Sequence, residues 1–273
     1  MTAISTEAAT VILLRPCPKP GVKDIEVLLV FRHHKSSFVP GYHVFPGGVI
    51  DSDDYASGVE RFIAEIDRRH AARIFADMSY PEKALGAFVA GIRETFEEVG
   101  ILIARKKDGS PLTIRTGKEC ERFANYRRAL IQGQIKFSQI LETEDIVLPG
   151  DSLRYFSHWI TPEALPLRYD VRFFAAEVPG NQIAVCDGVE LTDHKWLRPR
   201  MALADYEAGK IGMVLPQIMT LKELSRFQTV QEVLAYAGKR RISANLTKIK
   251  VIDGRNVEIM PDGTGYDIRP PVY

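Results

Sequence analysis

The most informative segment of the sequence reads Arg93-Glu94-Thr95-Phe96-Glu97-Glu98-Val99-Gly100-Ile101. Glu94 and Glu98 are four residues apart and Glu97 is three from Glu94, so on a helix the three carboxylates project from neighbouring positions. Three like charges destabilise a bare helix, but a divalent cation would reverse that cost because Mg²⁺ prefers carboxylate oxygens. Arg93 lies four residues before Glu97 and can brace the carboxylates. A solvent-facing acidic helix surface is the alternative that the glutamates alone leave open.

The helix that carries this segment is predicted to begin near Ser79 and to stop at Gly100. Ser79-Tyr80-Pro81-Glu82 has the form of a capping box with proline in the first turn. Glycine is a natural helix stop. Apolar residues recur along one side of this helix and predict that it is buried there: Leu85, Phe88, Val89, Ile92, Phe96 and Val99.

The rest of the chain mixes strands and helices without a regular βαβ alternation, which favours the α+β class. Strands are predicted over 8–14, 26–32, 153–160, 171–178 and 190–196. Helices are predicted over 55–76, 117–131, 137–144, 199–208, 214–226 and 229–237. Asp253-Gly254 is a strong hairpin turn signal between strands predicted at 247–252 and 256–260.

Composition narrows the class of protein. The chain has 36 Lys and Arg against 35 Asp and Glu, so no global field attracts nucleic acid or an anionic membrane. The longest apolar run near the start is too short for a signal peptide or a membrane span. Cys17, Cys120 and Cys186 form no CxxC pair, which argues against a disulfide framework and fits a reducing, cytoplasmic compartment. No nucleotide-binding GxGxxG or P-loop motif is present.

Phe45-Pro46-Gly47-Gly48 lies upstream of the acidic helix, and the two segments together resemble the Nudix box. Gly48 supplies the first glycine of that motif, and the segment from Arg93 to Ile101 matches its second half. Thr95 replaces the usual aliphatic residue. About 31 extra residues separate the glycine from the helix, and the first-half glutamate is replaced by Leu85. Glu82 is the nearest substitute, and we assign it a capping role, with a role close to the metal as the alternative.

An insertion inside the box is typical of the split-box Nudix subgroup that includes the mammalian peroxisomal coenzyme A diphosphatase. Residues 38–49, 159–162, 168–174 and the closing helices are similar to that subgroup, so the resemblance spans roughly 8–237. It implies an α/β/α sandwich around a mixed sheet, with a helical insertion at about 49–80. The insertion is expected to leave and return beside the acidic helix, so that Gly48 approaches the N-terminal end of that helix. Residues 1–240 are therefore predicted to form the Nudix domain. Residues 241–273 are predicted to form a hairpin tail packed on that domain.

The resemblance implies metal-dependent hydrolysis of a nucleoside diphosphate linkage, with Mg²⁺ or Mn²⁺ as the cofactor. Coenzyme A or acyl-CoA is the first-choice substrate, cut to 3′,5′-ADP and 4′-phosphopantetheine or its acyl form. The expected metal ligands are Glu94, Glu97 and Glu98, and the expected catalytic residues are Glu97, Glu98 and Arg93. One of these glutamates, or Glu190, could accept the proton of the attacking water.

Substrate phosphates require local cations, and the sequence offers two candidates. Arg32 begins a basic run, Arg32-His33-His34-Lys35, that precedes the glycine-rich loop, so Arg32, Gly47 and Gly48 are expected to bind substrate. This run is also the predicted site for the 3′-phosphate of coenzyme A, with a plain solvated loop as the alternative.

Arg172 is the second candidate, because strand alternation places it with Phe174 on one face. We expect it to contact the diphosphate, and a buried ion pair with Asp170 or Asp187 is the alternative. The apolar residues of the insertion could form a wall for the pantetheine arm: Phe62, Ile63 and Ile66.

Two other functions stay open at this level. One is an ADP-ribose or nucleotide-sugar diphosphatase, and the other is a Nudix-fold sensor that binds a nucleotide without cutting it. The intact glutamates weigh against a sensor, because a pure binder would not need a metal carboxylate cluster. The expected partner is a small nucleotide rather than nucleic acid or a membrane, and a homodimer is one possible assembly. The final Pro-Pro-Val-Tyr is not a peroxisomal signal, so the peroxisome is not carried over from the subgroup.

Overall fold

The structure is a computed structural model that describes residues 4–36, 38–78, 80–114, 117–180, 182–186, 188 and 191–268. The described residues form seven α-helices: α1 (Arg68–Ile74), α2 (Glu82–Val99), α3 (Gly117–Ile131), α4 (Phe137–Thr143), α5 (Pro199–Glu207), α6 (Leu215–Leu224) and α7 (Val230–Ala237). They also form fourteen strands: β1 (Thr6–Pro16), β2 (Ile25–Arg32), β3 (His43–Val44), β4 (Gly47–Val49), β5 (Ile63–Ala64), β6 (Arg105–Lys106), β7 (Ile146–Pro149), β8 (Arg154–Ile160), β9 (Tyr169–Glu177), β10 (Leu191–Leu197), β11 (Ala244–Leu246), β12 (Lys248–Ile252), β13 (Arg255–Ile259) and β14 (Gly265–Asp267). In this part of the chain, no helix is both long and apolar enough to span a membrane.

An eight-stranded mixed sheet forms the centre of the molecule, in the order β10-β2-β1-β9-β8-β11, with β3 beside β2 and β4 beside β1. Strand β1 runs parallel to β9 and antiparallel to β2 and β4. Alternate residues of β1 enter two separate apolar clusters, because both faces of the sheet are covered by helices. Val11 and Leu13 lie on the side of α2, whereas Ile12 and Leu14 lie on the side of α6 and α7. The predicted α+β sandwich around a mixed sheet is confirmed.

Helix α2 packs closely on this sheet and ends where the sequence predicts. A Cβ atom at Gly91 would lie 3.1 Å from a methyl group of Val11, so a small residue lets the helix approach the strand. Gly100 ends the helix with φ 69°, and its amide donates to the carbonyl of Phe96 at 2.9 Å. The helix begins at Glu82 after Pro81, and the predicted cap, Ser79, lies outside the described residues.

The segment between β4 and α2 is helical only in part, so the continuous helix predicted over 55–76 is wrong. It contains two 3₁₀ turns, Ser52–Tyr55 and Val59–Phe62, followed by β5 and then α1. Gly58 and Glu65 have φ angles of 87° and 63°, which no right-handed helix can contain. Strand β5 pairs with β7, so a contact distant in sequence overrides the local periodicity.

The C-terminal residues extend the sheet and then form a small sheet of their own. Strand β11 pairs in parallel with β8, and β12, β13 and β14 form an antiparallel sheet. The predicted hairpin turn at Asp253-Gly254 is confirmed, with φ angles of 50° and 75° at its two central residues. Met260 and Tyr266 pack against the cluster on the α6 side of the central sheet, so the small sheet contacts the main body.

A buried charge cluster lies on the α2 side of the sheet. The Arg172 side chain is fully buried, and its guanidinium donates to Asp170 and, at 2.9 Å, to Asp77. His158 lies between the same two carboxylates. Asp77 follows α1, so this cluster ties the inserted segment to β8 and β9.

We expect Asp170→Asn to lower the free energy of unfolding by on the order of 3 kcal/mol, because a buried guanidinium loses a charged partner. Chemical denaturation measures this loss. The matched control is Asp53→Asn, which breaks an exposed ion pair with Lys136 and should cost less than about 1 kcal/mol. Equal, small losses in the two variants would show that the cluster does not stabilise the fold.

Candidate active site

Arg93 is the centre of a buried ionic network on α2. Its Nε and Nη2 donate to the two oxygens of Asp54 at 2.8 and 2.9 Å, and Nη2 also donates to the carbonyl of Val49 at 2.9 Å. Its Nη1 donates to Glu94 at 2.9 Å and to Glu97 at 3.0 Å. The contact with Glu97 that the spacing predicts is therefore present, and one guanidinium holds two glutamates in fixed positions.

Gly47 and Gly48 press against the glutamates from the adjacent strand β4. The amide of Gly47 donates to Oε2 of Glu98 at 2.8 Å. A Cβ atom at Gly48 would lie 2.4 Å from Oε1 of Glu94, and one at Gly47 would lie 2.4 Å from the carbonyl oxygen of Ala9. Only glycine fits at either position without movement of the backbone or of the carboxylate.

The split-box arrangement predicts that Gly48 returns to the acidic helix despite the insertion, and this contact is present. It lies in the C-terminal half of α2, at Glu94, rather than at the predicted N-terminal end of the helix. The inserted segment reaches the helix at the same place, because Asp54 is the partner of Arg93.

Burial disfavours the ionised forms of the acidic side chains in this site. Desolvation raises the pKa of Glu94 to about 7, although Arg93 acts in the opposite direction. Desolvation also raises the pKa values of Glu97 and Asp54 above their usual range. These three carboxylates, and the exposed carboxylate of Asp51 at 3.6 Å, thus share the one positive charge of Arg93. An additional cation would compensate the remaining negative charge.

The donor set fits a hard divalent cation. The glutamates offer only oxygen ligands, which suit Mg²⁺ or Mn²⁺ rather than zinc. Within the described residues, no three His, Cys, Asp or Glu side chains are already grouped around a single ion position. Mg²⁺ usually keeps several waters and binds one or two carboxylates together with substrate phosphates. Glu94 and Glu98, which both line a cavity, are placed for that kind of site.

The cavity beside these glutamates has a volume of about 340 Å³, within the range of small-molecule sites. Arg32, Gly47 and Gly48 lie in its wall. Most of the other lining is apolar and aromatic, including Phe38, Phe45, Trp159, Tyr169, Val171 and Phe173. A second, more open cavity of about 700 Å³ shares no lining residue with it and contains none of the α2 glutamates.

The structure does not bring Arg172 to this cavity, so its predicted contact with the diphosphate is wrong. Val171 and Phe173 line the cavity, and strand alternation turns Arg172 to the opposite face of the sheet. There it forms the buried ion pair with Asp170 that was its alternative. Asp187 and Glu190 lie outside the described residues.

The apolar residues of the insertion do not form the wall predicted for the substrate arm. Phe62, Ile63 and Ile66 are 4, 6 and 8% exposed and belong to the hydrophobic cluster beneath α2. Their hydrophobicity reflects core packing, and none of them lines the cavity.

The sequence alone did not identify several residues of the site. Asp54 was missed, although the acidic stretch Asp51-Ser52-Asp53-Asp54 close to Gly48 was an available signal. Trp159 was noted only as part of a resemblance. Gln217 and Glu258 also line the cavity, and no local pattern distinguishes them from surface residues.

Comparison with known proteins shows which sequences and which fold this chain is similar to. A family model described as the NUDT19 Nudix domain matches residues 5–226. The acyl-coenzyme A diphosphatase NUDT19 of Xenopus laevis is 29% identical in an alignment 254 positions long that covers 83% of this chain and 67% of that protein. The Gallus gallus protein of the same name is 26% identical, covering 86% of this chain and 72% of that protein. The crystal structure of a NUDIX hydrolase from Alicyclobacillus acidocaldarius aligns with a TM-score of 0.70 and 26% identity, covering 86% of this chain and 97% of that one.

The raised pKa of Glu94 predicts how the free energy of unfolding depends on pH when no divalent cation is bound. The carboxyl ionises near pH 4.5 when unfolded and near pH 7 when folded. Between these values the unfolded state binds fewer protons, so Glu94 makes stability fall as pH rises. Glu94→Gln cannot ionise. We therefore compare the free energies of unfolding of this variant and of the wild type in EDTA. The difference, variant minus wild type, should increase by on the order of 2 kcal/mol from pH 4.5 to pH 8.

The control for this experiment is Glu82→Gln, which changes an exposed carboxylate on the same helix. It should follow the wild-type pH dependence within experimental error. If Glu94→Gln does the same, the carboxylate of Glu94 is not desolvated.

Proposed function

The chain belongs to the NUDT19 Nudix domain family, and on that premise we propose that it hydrolyses the diphosphate bond of coenzyme A or acyl-coenzyme A. The observation that supports this most is the Gly47-Gly48 strand packed against Glu94 and Glu98 in the wall of a cavity of about 340 Å³. The products would be 3′,5′-ADP and 4′-phosphopantetheine, or its acyl form.

The reaction is the attack of a water oxygen on one phosphorus atom. A new P–O bond forms, the bridging P–O bond breaks so that the bridging oxygen stays on the departing phosphate, and one of the carboxylates of the site would accept the proton of the water. A bound Mg²⁺ or Mn²⁺ would supply charge neutralisation of the diphosphate oxygens and orientation of the water. We propose that Glu94, Glu97 and Glu98 hold this ion.

The chain's own contribution is to fix these carboxylates before substrate arrives. Arg93 orients Glu94 and Glu97, and it is itself anchored by Asp54 and the carbonyl of Val49. The Gly47 amide orients Glu98. Preorganised charges of this kind contribute most to catalysis, because little reorganisation is needed during the reaction.

Substrate phosphates would meet the basic run at the end of β2. Arg32 lies in the cavity wall, and the exposed residues His34 and Lys35 follow it. We propose that Arg32 binds the 3′-phosphate, because a guanidinium forms paired hydrogen bonds with phosphate oxygens. None of Cys17, Cys120 and Cys186 forms a disulfide, and on that ground we propose a reducing, cytoplasmic location.

We expect Glu97→Gln and Glu98→Gln each to lower kcat by at least about 100-fold while the fold stays intact. Each change removes a negative charge from the metal site and little volume. The measurement is coenzyme A turnover in Mg²⁺ and in Mn²⁺, with thermal unfolding to confirm the fold.

Glu82→Gln is the matched control on the same helix and should keep wild-type activity. Activity within threefold of wild type in both glutamate variants would remove Glu97 and Glu98 from the metal site.

Coenzyme A should be a better substrate than dephospho-CoA, and Arg32→Ala should erase most of that difference. One charge-assisted contact corresponds to roughly ten- to a hundredfold in kcat/KM. Steady-state kinetics with the two substrates, with ADP-ribose as a third, measure the preference.

The control is Arg61→Ala, which removes an exposed arginine that pairs with Glu142 and does not line the cavity. Equal turnover of coenzyme A and dephospho-CoA, or a clear preference for ADP-ribose, would contradict the coenzyme A assignment while leaving a metal-dependent diphosphatase.

A further inference from the structure

The small C-terminal sheet supplies part of the cavity wall. Thr247, between β11 and β12, and Glu258, on β13, line the same cavity as Glu94 and Glu98. Both residues lie beyond the region that the family model matches, which ends at residue 226. The small C-terminal sheet therefore contributes polar groups to this cavity.

Glu258 is an unusual residue for such a wall. It is 5% exposed, and it accepts a hydrogen bond from Thr247. It forms no ion pair in the part of the chain that the structure describes, so its carboxyl is compensated by no cation there. A buried carboxyl with one hydroxyl partner has oxygen lone pairs free to accept from a ligand.

Two more polar groups in the wall lack partners. The indole Nε1 of Trp159 and the amide Oε1 of Gln217 are buried and have no hydrogen-bond partner among the described residues. Each residue is 6% exposed and lines the cavity. A buried donor and a buried acceptor without partners cost free energy unless a ligand pairs with them.

We propose that Glu258, Gln217 and Trp159 form a subsite for the amide-bearing pantetheine arm of the substrate. An amide offers an N–H to the acceptors Glu258 and Gln217 and a carbonyl to the donor Trp159. The methylene and methyl groups of the arm would pack against the apolar wall. This inference rests on the proposed coenzyme A substrate and names the part of it that these three residues bind.

Charge selects the arm over the adenosine end of the substrate. In coenzyme A, the 3′-phosphate is attached to the ribose of the adenosine. Glu258 offers no positive charge in either protonation state, so it cannot compensate a dianionic phosphate, and its ionised form would repel one. The pantetheine arm carries no charge, so Glu258 tolerates it. Arg32, in the same cavity, offers the positive charge that the phosphate requires.

The test is isothermal titration of the two product halves, 4′-phosphopantetheine and 3′,5′-ADP, in the presence of Mg²⁺. Glu258→Leu should weaken binding of 4′-phosphopantetheine by roughly ten- to a hundredfold, because it fills the volume but removes the acceptor. Binding of 3′,5′-ADP should change by less than about twofold. Glu258→Gln keeps an acceptor oxygen and should lose much less than Glu258→Leu.

Two further variants distinguish the loss of a specific ligand contact from a general disruption of the structure. Trp159→Phe keeps an aromatic ring but removes the N–H donor, and it should weaken 4′-phosphopantetheine alone by about tenfold. Asp267→Asn changes an exposed carboxylate of the same small sheet outside this cavity, and it should leave both ligands unaffected.

The outcomes separate the subsite from the proposed function. If the wild type binds both products but Glu258→Leu and Trp159→Phe leave 4′-phosphopantetheine unchanged, the subsite is wrong and the function stands. The same holds if they weaken 3′,5′-ADP equally or more, which would place adenosine there. If the wild type binds neither product, the coenzyme A proposal fails and the subsite fails with it.

Discussion

The site depends on one buried guanidinium. Burying a charged group is costly unless it is paired and fully hydrogen-bonded, and Arg93 meets that requirement with partners from two parts of the chain. Its bidentate partner Asp54 lies 39 residues earlier in the sequence, in the inserted segment. The insertion therefore completes the ionic network of α2 instead of interrupting it. Once Arg93 is fixed, Glu94 and Glu97 are fixed as well.

A steric constraint acts together with this electrostatic one. Gly47 and Gly48 have no room for a side chain, because β4 lies against β1 on one side and against Glu94 on the other. The close approach lets the Gly47 amide reach Glu98. Glu94 and Glu98 consequently sit in the cavity wall, while the side of α2 that packs on β1 remains part of the core.

The elements with strong local patterns were predictable. The apolar runs of β1 and β2, the glutamate spacing of α2 and the Asp253-Gly254 turn each follow from local geometry. The insertion could not be predicted in this way. Phe62 and Ile63 are buried in 3₁₀ and strand conformations and Ile66 is buried in a loop, so their hydrophobicity does not report a helical period. The partners Asp54 for Arg93 and Asp77 for Arg172 are distant in sequence, so no spacing rule indicates them. Strand alternation correctly places Arg172 and Phe174 on the same face of β9. Which of the two faces lines the cavity depends on the packing of the whole sheet, and the sequence of one strand does not reveal it.

The proposed pantetheine subsite, taken together with the proposed phosphate contact of Arg32, would give the proposed substrate one favoured orientation. Arg32 comes from β2 in the part of the chain that the family shares, whereas Glu258 comes from β13 beyond it. A substrate with phosphate at one end and amides at the other can satisfy both residues in a single direction. The reversed direction would place a phosphate beside a buried carboxyl and leave Arg32 facing an uncharged chain. Because the diphosphate lies between the two ends, orientation also decides which of its two phosphorus atoms faces the water beside the α2 glutamates. The C-terminal sheet would thus influence the position of attack without contacting the reacting atoms.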